Sequence, residues 1–120
     1  MPRRSLSFPR ARRLTRRSEF ERVRQEGRAH RGKALTLGVL TGGEDNGFRA
    51  GFITSRAIGN AVKRNRVRRR LREIVRHHQH EIVAGAWIVT IARAAAADVT
   101  YQELEDEWLR LAKRASILAR

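Results

Sequence analysis

Residues 63–72 form the most strongly basic stretch of the sequence, with seven arginine or lysine side chains in ten positions. The surrounding segment, residues 60–80, contains no proline and many good helix formers, which predicts a long helix. At about 100° per residue, Val67, Leu71 and Ile74 fall on one side of that helix, and most of the arginines fall on the other. The fold must therefore bury one face of this helix and expose the opposite face, which can bind a polyanion.

A solvated charged face is the usual interpretation of such a run, but the charge balance argues against it here. Glu73 is the only acidic residue between Arg56 and His80, so few ion pairs within the helix can relieve the repulsion among the arginines. The whole chain is biased in the same way, with 27 basic and 12 acidic residues and a net charge of +15 at pH 7. All but three of the basic residues are arginine, which binds phosphate through paired hydrogen bonds. We interpret the chain as a nucleic-acid-binding protein; a basic composition that serves only solubility is the alternative.

The composition also excludes several classes of protein. The chain has 120 residues, enough for one domain with one core. It has no cysteine, which excludes disulfides, thiolate metal sites and a cysteine nucleophile. No apolar run approaches the roughly 18 residues of a membrane helix, and no apolar segment of a secretory signal follows the arginine-rich start. We therefore expect a cytoplasmic protein that does not bind membranes.

The sequence predicts one domain behind a basic arm. Residues 1–13 carry arginine, proline and serine without periodicity, which predicts a flexible arm. Residues 14–120 are expected to form a single RNA-binding α-β domain. Its first helix begins at a capping box of Ser18 and Glu21 and ends at Gly27.

Three strands are predicted in the middle of the chain. Residues 34–41 and residues 48–55 alternate between apolar and smaller or polar side chains, as half-buried strands do. The Gly-rich, acidic residues 42–47 between them predict a β-hairpin. Residues 86–92 are nearly all apolar, which predicts a central strand that is buried on both faces.

Two polar clusters near the end of the chain do not predict a catalytic centre. Thr100 and Glu103 form a capping box that opens the last helix, and the acidic residues after Glu103 point in different directions around it. His77 and His80 lie three residues apart, but no third ligand has a clear spacing, so a polar helix end is favoured over a metal site. We predict no catalytic residue and no metal site in this chain.

Residues 49–73 carry the most specific motif of the sequence. They read RAGFITSRAIGNAVKRNRVRRRLRE, with a G-N-A-V-x-R-N-R core at residues 59–66 and a basic, amphipathic continuation. This stretch resembles the signature of the bacterial ribonuclease P protein subunit. The similarity extends in the same order to the first helix, to residues 88–93 and to the closing helix.

The resemblance implies a fold of the α+β class, an α-β sandwich with its elements in the order αβββαβα. Its central four-stranded sheet would be mostly antiparallel, with a short additional strand near residues 28–32. A left-handed βαβ crossover, contrary to the usual right-handed rule, would display the basic helix.

The resemblance also implies partners and a reaction. In this family one protein and one catalytic RNA form a heterodimer, the endonuclease that removes the 5′ leader from precursor tRNA. Magnesium ions bound chiefly by the RNA perform the hydrolysis, and the protein supplies no nucleophile. We therefore expect the chain to bind the catalytic RNA and precursor tRNA, to raise substrate affinity and to lower the magnesium requirement.

Two sets of site residues follow from the matching positions. The catalytic RNA is expected to contact Lys63, Arg64, Asn65, Arg66, Arg68, Arg69, Arg72 and Arg76. The single-stranded leader is expected in a cleft between the first helix and the sheet, lined by Phe20, Arg24, Leu35, Leu37, Ile53, Ser55, Arg56 and Asn60. Many family members have aromatic residues at the positions of Arg24 and Gly38, so phosphate neutralisation is expected to matter more than stacking in this chain.

Several alternatives stay open on the sequence. Phe20 is equally well explained as a core residue, and Asn65 as a residue of the helix surface. The chain as a whole also fits a ribosomal RNA-binding protein, a small basic DNA-binding protein, or a nuclease that acts without RNA.

Overall fold

The computed structural model describes residues 10–119. The helices are α1 (Arg17–Glu26), α2 (Ala61–His77) and α3 (Tyr101–Arg114), and the strands are β1 (Arg28–Arg31), β2 (Leu35–Leu40), β3 (Arg49–Thr54) and β4 (Trp87–Ala92). Short 3₁₀ turns lie at Arg10–Arg12, Arg56–Ile58, Gln79–Glu81 and Ala94–Ala97. The order αβββαβα and the short strand β1 confirm the expected architecture. None of the helices between residues 10 and 119 combines the length with the apolar character of a membrane-spanning segment.

The four strands form one sheet in the order β1-β2-β4-β3. β1 with β2 and β2 with β4 are antiparallel, whereas β3 and β4 are parallel. The predicted hairpin between residues 34–41 and 48–55 is therefore wrong, because β4 lies between these two strands. Local alternation determines which residues face the core, but it does not determine which strand is the neighbour. The apolar strand β4 occupies the centre of the sheet, as its composition predicts.

α2 connects the parallel strands β3 and β4 and packs on one face of the sheet. Its predicted apolar stripe is buried, including Val67, Leu71 and Ile74. α3 covers the same face beside α2, and the indole N–H of the fully buried Trp108 donates a hydrogen bond to Thr90 Oγ1 at 3.2 Å. The main core therefore lies between the sheet and these two helices.

α1 covers only part of the opposite face. Val23 is buried there with Val89, and the ring of Phe20 rests on Gly51. A Cβ atom at Gly51 would lie 2.5 Å from that ring, so only glycine allows the ring to keep this position. The part of the sheet that α1 leaves uncovered forms the floor of a cleft.

The start of α1 differs from the predicted capping box of Ser18 and Glu21. The helix begins at Arg17, and Glu19 Oε1 accepts hydrogen bonds from the backbone N–H groups of residues 15–16, both at 2.8 Å. The other carboxylate oxygen of Glu19 lies 2.8 Å from Nη1 of Arg49 in β3. The contact with Arg49 joins the helix to the sheet and favours Glu19 as the capping residue. A local sequence pattern cannot predict it, because Arg49 lies far along the chain.

Part of the predicted arm belongs to the domain. Arg13 pairs with Ala50 at the edge of β3, and the backbone N–H of Leu14 donates to the carbonyl of Ala50 at 2.9 Å. Residues 10–13 are therefore attached to the sheet, and residues 1–9 lie outside the described residues.

The capping box at the start of α3 is confirmed. Thr100 Oγ1 accepts from the N–H of Glu103 at 3.1 Å, and Glu103 Oε1 accepts from the N–H of Thr100 at 2.8 Å.

Candidate RNA-binding surface

Positive charge covers the face of α2 that points away from the sheet. The exposed members of the predicted set are Lys63, Asn65, Arg66 and Arg69, and the half-buried members are Arg64, Arg68, Arg72 and Arg76. Within residues 10–119, Arg76 is the only cation of this set that pairs with a carboxylate. Most of the charge on α2 is therefore available to an external anion.

Residues of the sequence motif build the start of α2. Asn60 Oδ1 accepts a hydrogen bond from the N–H of Lys63 at 3.0 Å, and Arg64 Nη1 donates to the carbonyl of Gly59 at 2.7 Å. Gly59 has a φ of 138°, which side chains of L-residues rarely tolerate, so this turn requires glycine. Asn60 therefore caps the helix and lies outside the cleft in which it was expected.

Arg68 connects α2 to the end of β3. Its Nη1 donates to Oδ1 of Asn65 at 3.0 Å, and its Nη2 donates to Oγ1 of Thr54 at 2.6 Å. Asn65 uses its carbonyl oxygen in this contact and remains exposed, so its amide N–H groups are available to an RNA acceptor. Asn65 thus has a structural role that does not prevent the predicted contact with RNA.

A basic groove runs along the edge of β3. Arg13, Arg68 and Arg72 line it together with Phe20. Burial lowers the pKa of Arg72 below its usual value, and the charges of Arg13 and Arg68 lower it further. Arg72 Nε is buried without a hydrogen-bond partner among the described residues. An anion such as a phosphate would relieve the repulsion in this groove.

Arg76 differs from the other arginines of the predicted set. Glu73 forms an ion pair with it, and a second oxygen of Glu73 lies 3.0 Å from Nε2 of His77. Because this carboxylate offsets the charge at the end of α2, a phosphate is attracted there less strongly than at Arg66 or Arg69.

The cleft between α1 and the sheet has an apolar floor and a polar rim. Its lining residues are Phe20, Glu21, Val23, Arg24, Arg28, Ala29, Thr36, Gly38, Ile53, Val89 and Ile91. The structure therefore places Phe20, Arg24 and Ile53 in the cleft, as predicted. Phe20 is half-buried, so it both packs on the sheet and borders the cleft.

Leu35 and Leu37 do not line the cleft, and their prediction as cleft residues is wrong. Both are fully buried in the core on the opposite face of the sheet. Successive residues of a strand point to opposite faces, so Thr36 and Gly38 face the cleft instead. The alternation that predicts β2 from the sequence already places Leu35 and Leu37 on one face and Thr36 and Gly38 on the other.

Ser55 and Arg56 lie at the junction between β3 and α2, beyond the residues that line the cleft. Ser55 Oγ accepts a hydrogen bond from the N–H of Ala57 at 3.0 Å and thereby caps the 3₁₀ turn that follows. Arg56 is exposed, so its guanidinium can reach an anion that passes between the cleft and α2.

An exposed ion pair stands at the helix side of the cleft. Arg24 Nη2 lies 2.8 Å from Glu21 Oε1. Exposed pairs of this kind contribute little to stability, so a phosphate can compete for Arg24. Across the cleft, a Cβ atom at Gly38 would lie 3.4 Å from Val23 Cγ1, which is ordinary contact. The floor of the cleft therefore has no side chain at this position.

His77 and His78, near the end of α2, lie within hydrogen-bond distance of carboxylates. His78 lies 3.4 Å from a carboxylate oxygen of Glu81 and 2.9 Å from one of Glu105. Among residues 10–119, no group of three His, Cys, Asp or Glu residues is placed to hold a metal ion.

Comparison with known proteins decides the family. The model of the family described as Ribonuclease P matches residues 8–116. The chain belongs to the ribonuclease P protein family. The ribonuclease P protein component of Chloroflexus aggregans is 41% identical over 110 residues, which cover 91% of this chain and 81% of that protein. The component of Bacillus cereus is 32% identical over 113 residues, which cover 94% and 95%.

Solved structures of ribonuclease P proteins have the same fold. The protein of Staphylococcus aureus has a TM-score of 0.84 at 28% identity, covering 91% of this chain and 99% of that chain. The protein of Thermotoga maritima has a TM-score of 0.75 at 29% identity, covering 85% and 96%. These similarities confirm the expected α+β architecture.

Membership of the ribonuclease P family confirms the expected function. The chain is the protein subunit of an RNA-protein endonuclease that processes the 5′ end of tRNA, and its partner is an RNA. The family also decides against a ribosomal protein and a DNA-binding protein.

Proposed function

We propose that this ribonuclease P protein binds its catalytic RNA through the exposed face of α2 and holds the single-stranded 5′ leader of precursor tRNA in the cleft beneath α1. One protein and one RNA form the complex, which acts in the cytoplasm. In this proposal the cleft raises the affinity for precursor tRNA above that for the mature product, which has no leader.

The position of Phe20 carries the proposal. Its ring borders the cleft on one side and the basic groove with Arg68 and Arg72 on the other. A single strand in the cleft and an RNA on α2 would therefore meet at this ring. Since the leader is cleaved beside the catalytic RNA, substrate and catalyst need adjacent surfaces of this kind on the protein.

The chemistry of the cleft suits a single strand that is held without base-specific hydrogen bonds. The floor offers the apolar side chains of Val89, Ile91 and Ile53, on which a nucleobase can lie flat. Arg24 at the rim offers a guanidinium to a phosphate. We expect leader binding to depend on the number of phosphates more than on the sequence of the leader.

The described residues around α2 do not fit a magnesium site. Magnesium prefers oxygen ligands, chiefly carboxylates and phosphates, and the surface of α2 is cationic. The described acidic residues near α2, Glu73 and Glu81, are engaged with Arg76 and with histidines. We therefore assign the magnesium ions, which supply the hydrolytic chemistry when bound, to the RNA. The protein contributes by neutralising phosphates, which lowers the magnesium concentration that the RNA needs.

Cleavage of precursor tRNA by the cognate catalytic RNA, with and without the protein, tests the proposal. At low magnesium concentration we expect the protein to stimulate cleavage at the mature 5′ end. The protein alone, without RNA, is the control and should leave the substrate intact. An RNA that is active at high magnesium but gains nothing from the protein at low magnesium would contradict the proposal.

A further inference from the structure

The outer rim of the cleft is the edge strand β1, and its positive charges are not balanced. Arg28 and Arg31 of this strand are exposed. Between residues 10 and 119, no carboxylate lies within ion-pair distance of either of them. Arg24 on the opposite rim is different, because it pairs with Glu21.

The strand register places this charge beside the cleft. Ala29 pairs with Gly38, and Arg31 pairs with Thr36. Directly opposite residues on neighbouring strands have their side chains on the same face, and Ala29, Gly38 and Thr36 line the cleft. Arg31 therefore leaves the sheet on the cleft side. Arg28 pairs with Val39, which faces the core, so its side chain starts on the other side of the sheet. At this outer edge Arg28 borders both the cleft and the groove next to Val39.

We propose that Arg28 and Arg31, the β1 rim, bind phosphates of the leader nucleotides farthest from the cleavage site. This inference rests on the proposed function and extends it to residues outside the family motif. The cleft floor crosses β3, β4, β2 and β1 in that order. Neighbouring strands lie about 4.8 Å apart, so the β1 rim lies roughly 14 Å from β3 and the adjoining α2. The part of the leader that reaches β1 is therefore remote from the catalytic RNA.

The chemistry of the β1 rim favours a single-stranded nucleic acid over a protein partner. An uncovered edge strand can pair with another strand, but a second copy of β1 would bring Arg28 and Arg31 close to their own counterparts. A phosphate backbone instead supplies negative charge at regular intervals along the strand. The apolar floor beside the β1 rim can accept the bases of the same nucleotides.

The double variant Arg28→Ala/Arg31→Ala tests this inference in the assembled holoenzyme. The Kd of precursor tRNA is measured for a long leader and for a leader of one nucleotide, over a series of salt concentrations. For the long leader, the slope of log Kd against log salt should fall by about 0.7 per lost contact, which corresponds to a weakening of about fivefold per contact at 0.1 M salt. For the short leader, the variant and the unchanged protein should bind equally.

A matched control removes two charges elsewhere. Arg110 and Lys113 are exposed on α3, which lies on the opposite side of the sheet. Arg110→Ala/Lys113→Ala should leave the dependence on leader length unchanged. Circular dichroism and thermal melting of both double variants confirm that the fold is kept, as expected for exposed side chains.

The remaining outcomes separate the two proposals. If the unchanged protein prefers the long leader and the β1 variant keeps this preference in full, the β1 rim does not bind the leader while the cleft still does. If the β1 variant weakens both substrates equally, the β1 rim contacts another part of the RNA, which also overturns the inference. If the unchanged protein itself does not distinguish the two leaders, the proposed leader cleft fails together with the β1 rim.

Discussion

Oε2 of Glu107 in α3 lies 2.7 Å from the backbone nitrogen of Leu35, at the start of β2. The same oxygen accepts a second hydrogen bond from the N–H of Ala34 at 2.9 Å. Glu107 is only 7% exposed, so a buried carboxylate holds the turn between β1 and β2. Thr36 and Gly38, which form part of the cleft floor, follow directly from this turn.

We expect Glu107→Gln to destabilise the fold. Both hydrogen bonds end on one oxygen, which the amide oxygen of glutamine can replace, but the amide lacks the negative charge that strengthens them. The expected loss is about 1–3 kcal/mol in the free energy of unfolding, measured by urea denaturation. Asp106→Asn makes the same chemical change at the exposed neighbouring position and should have little effect. Equal losses in the two variants would show that the buried hydrogen bonds of Glu107 are not the cause.

Arg66 and Arg69 provide the clearest test of the RNA contact on α2, because both are exposed and neither pairs with a carboxylate among the described residues. We expect Arg66→Ala and Arg69→Ala each to weaken binding of the catalytic RNA. The slope of log K against log salt should decrease by about 0.7–0.9 for each lost phosphate contact. Arg110→Ala on α3 removes the same charge and should leave the slope unchanged. Unchanged slopes in both α2 variants would exclude this face of the helix from the interface.

The strand pairing shows what a local pattern predicts and what it does not. The alternation of residues 34–41 and 48–55 predicts both strands, and the apolar composition of residues 86–92 predicts a central strand. The hairpin fails because strand neighbours are selected by burial of the whole sheet, and an apolar strand inserted between the two gains more burial than an edge position offers. The order of strands therefore depends on contacts between residues far apart in sequence.

The candidate site shows the same limit. The amphipathic pattern of α2 predicts which side is exposed, and the motif predicts the N-terminal turn. The sequence does not assign Arg13 or Arg28 to the site, because only the folded sheet brings the end of the basic arm to the groove and Arg28 to the cleft. The prediction that Leu35 and Leu37 line the cleft is wrong, although the alternation along β2 places both on the same, core-facing side of the strand.

Glu19 makes the stability of the fold sensitive to acid. Burial alone would raise its pKa, but hydrogen bonds from the backbone N–H groups of Arg16 and Thr15 and the charge of Arg49 hold it below its usual value of 4.5. A carboxylate with a lower pKa in the folded state stabilises the fold above about pH 4.5, and this stabilisation is lost as the pH falls through the folded-state pKa.

We therefore expect Glu19→Gln to be less stable than the unchanged protein at pH 7, with a difference that becomes smaller below about pH 4.5. Urea unfolding at a series of pH values measures this difference. Glu44→Gln removes the same charge from an exposed loop and serves as the control. A difference between Glu19→Gln and the unchanged protein that stays constant down to pH 3 would contradict the assigned role of the ionised carboxylate.

The contact between Gly51 and Phe20 allows the cleft to be changed without removal of a charged group. In Gly51→Ala the new Cβ would meet the end of the Phe20 ring at 2.5 Å, and the ring can move away more easily than backbone can. We expect a moderate cost in stability, about 1–3 kcal/mol, and a displaced ring at the boundary between cleft and basic groove. The affinity for precursor tRNA with a leader should then fall, whereas the affinity for mature tRNA should not change.

Gly38→Ala adds a methyl group to the same face of the sheet at ordinary contact distance and should keep both affinities. If both glycine variants bind the leader as the unchanged protein does, the position of the Phe20 ring does not determine leader binding, and the cleft holds the leader through its charged rim alone.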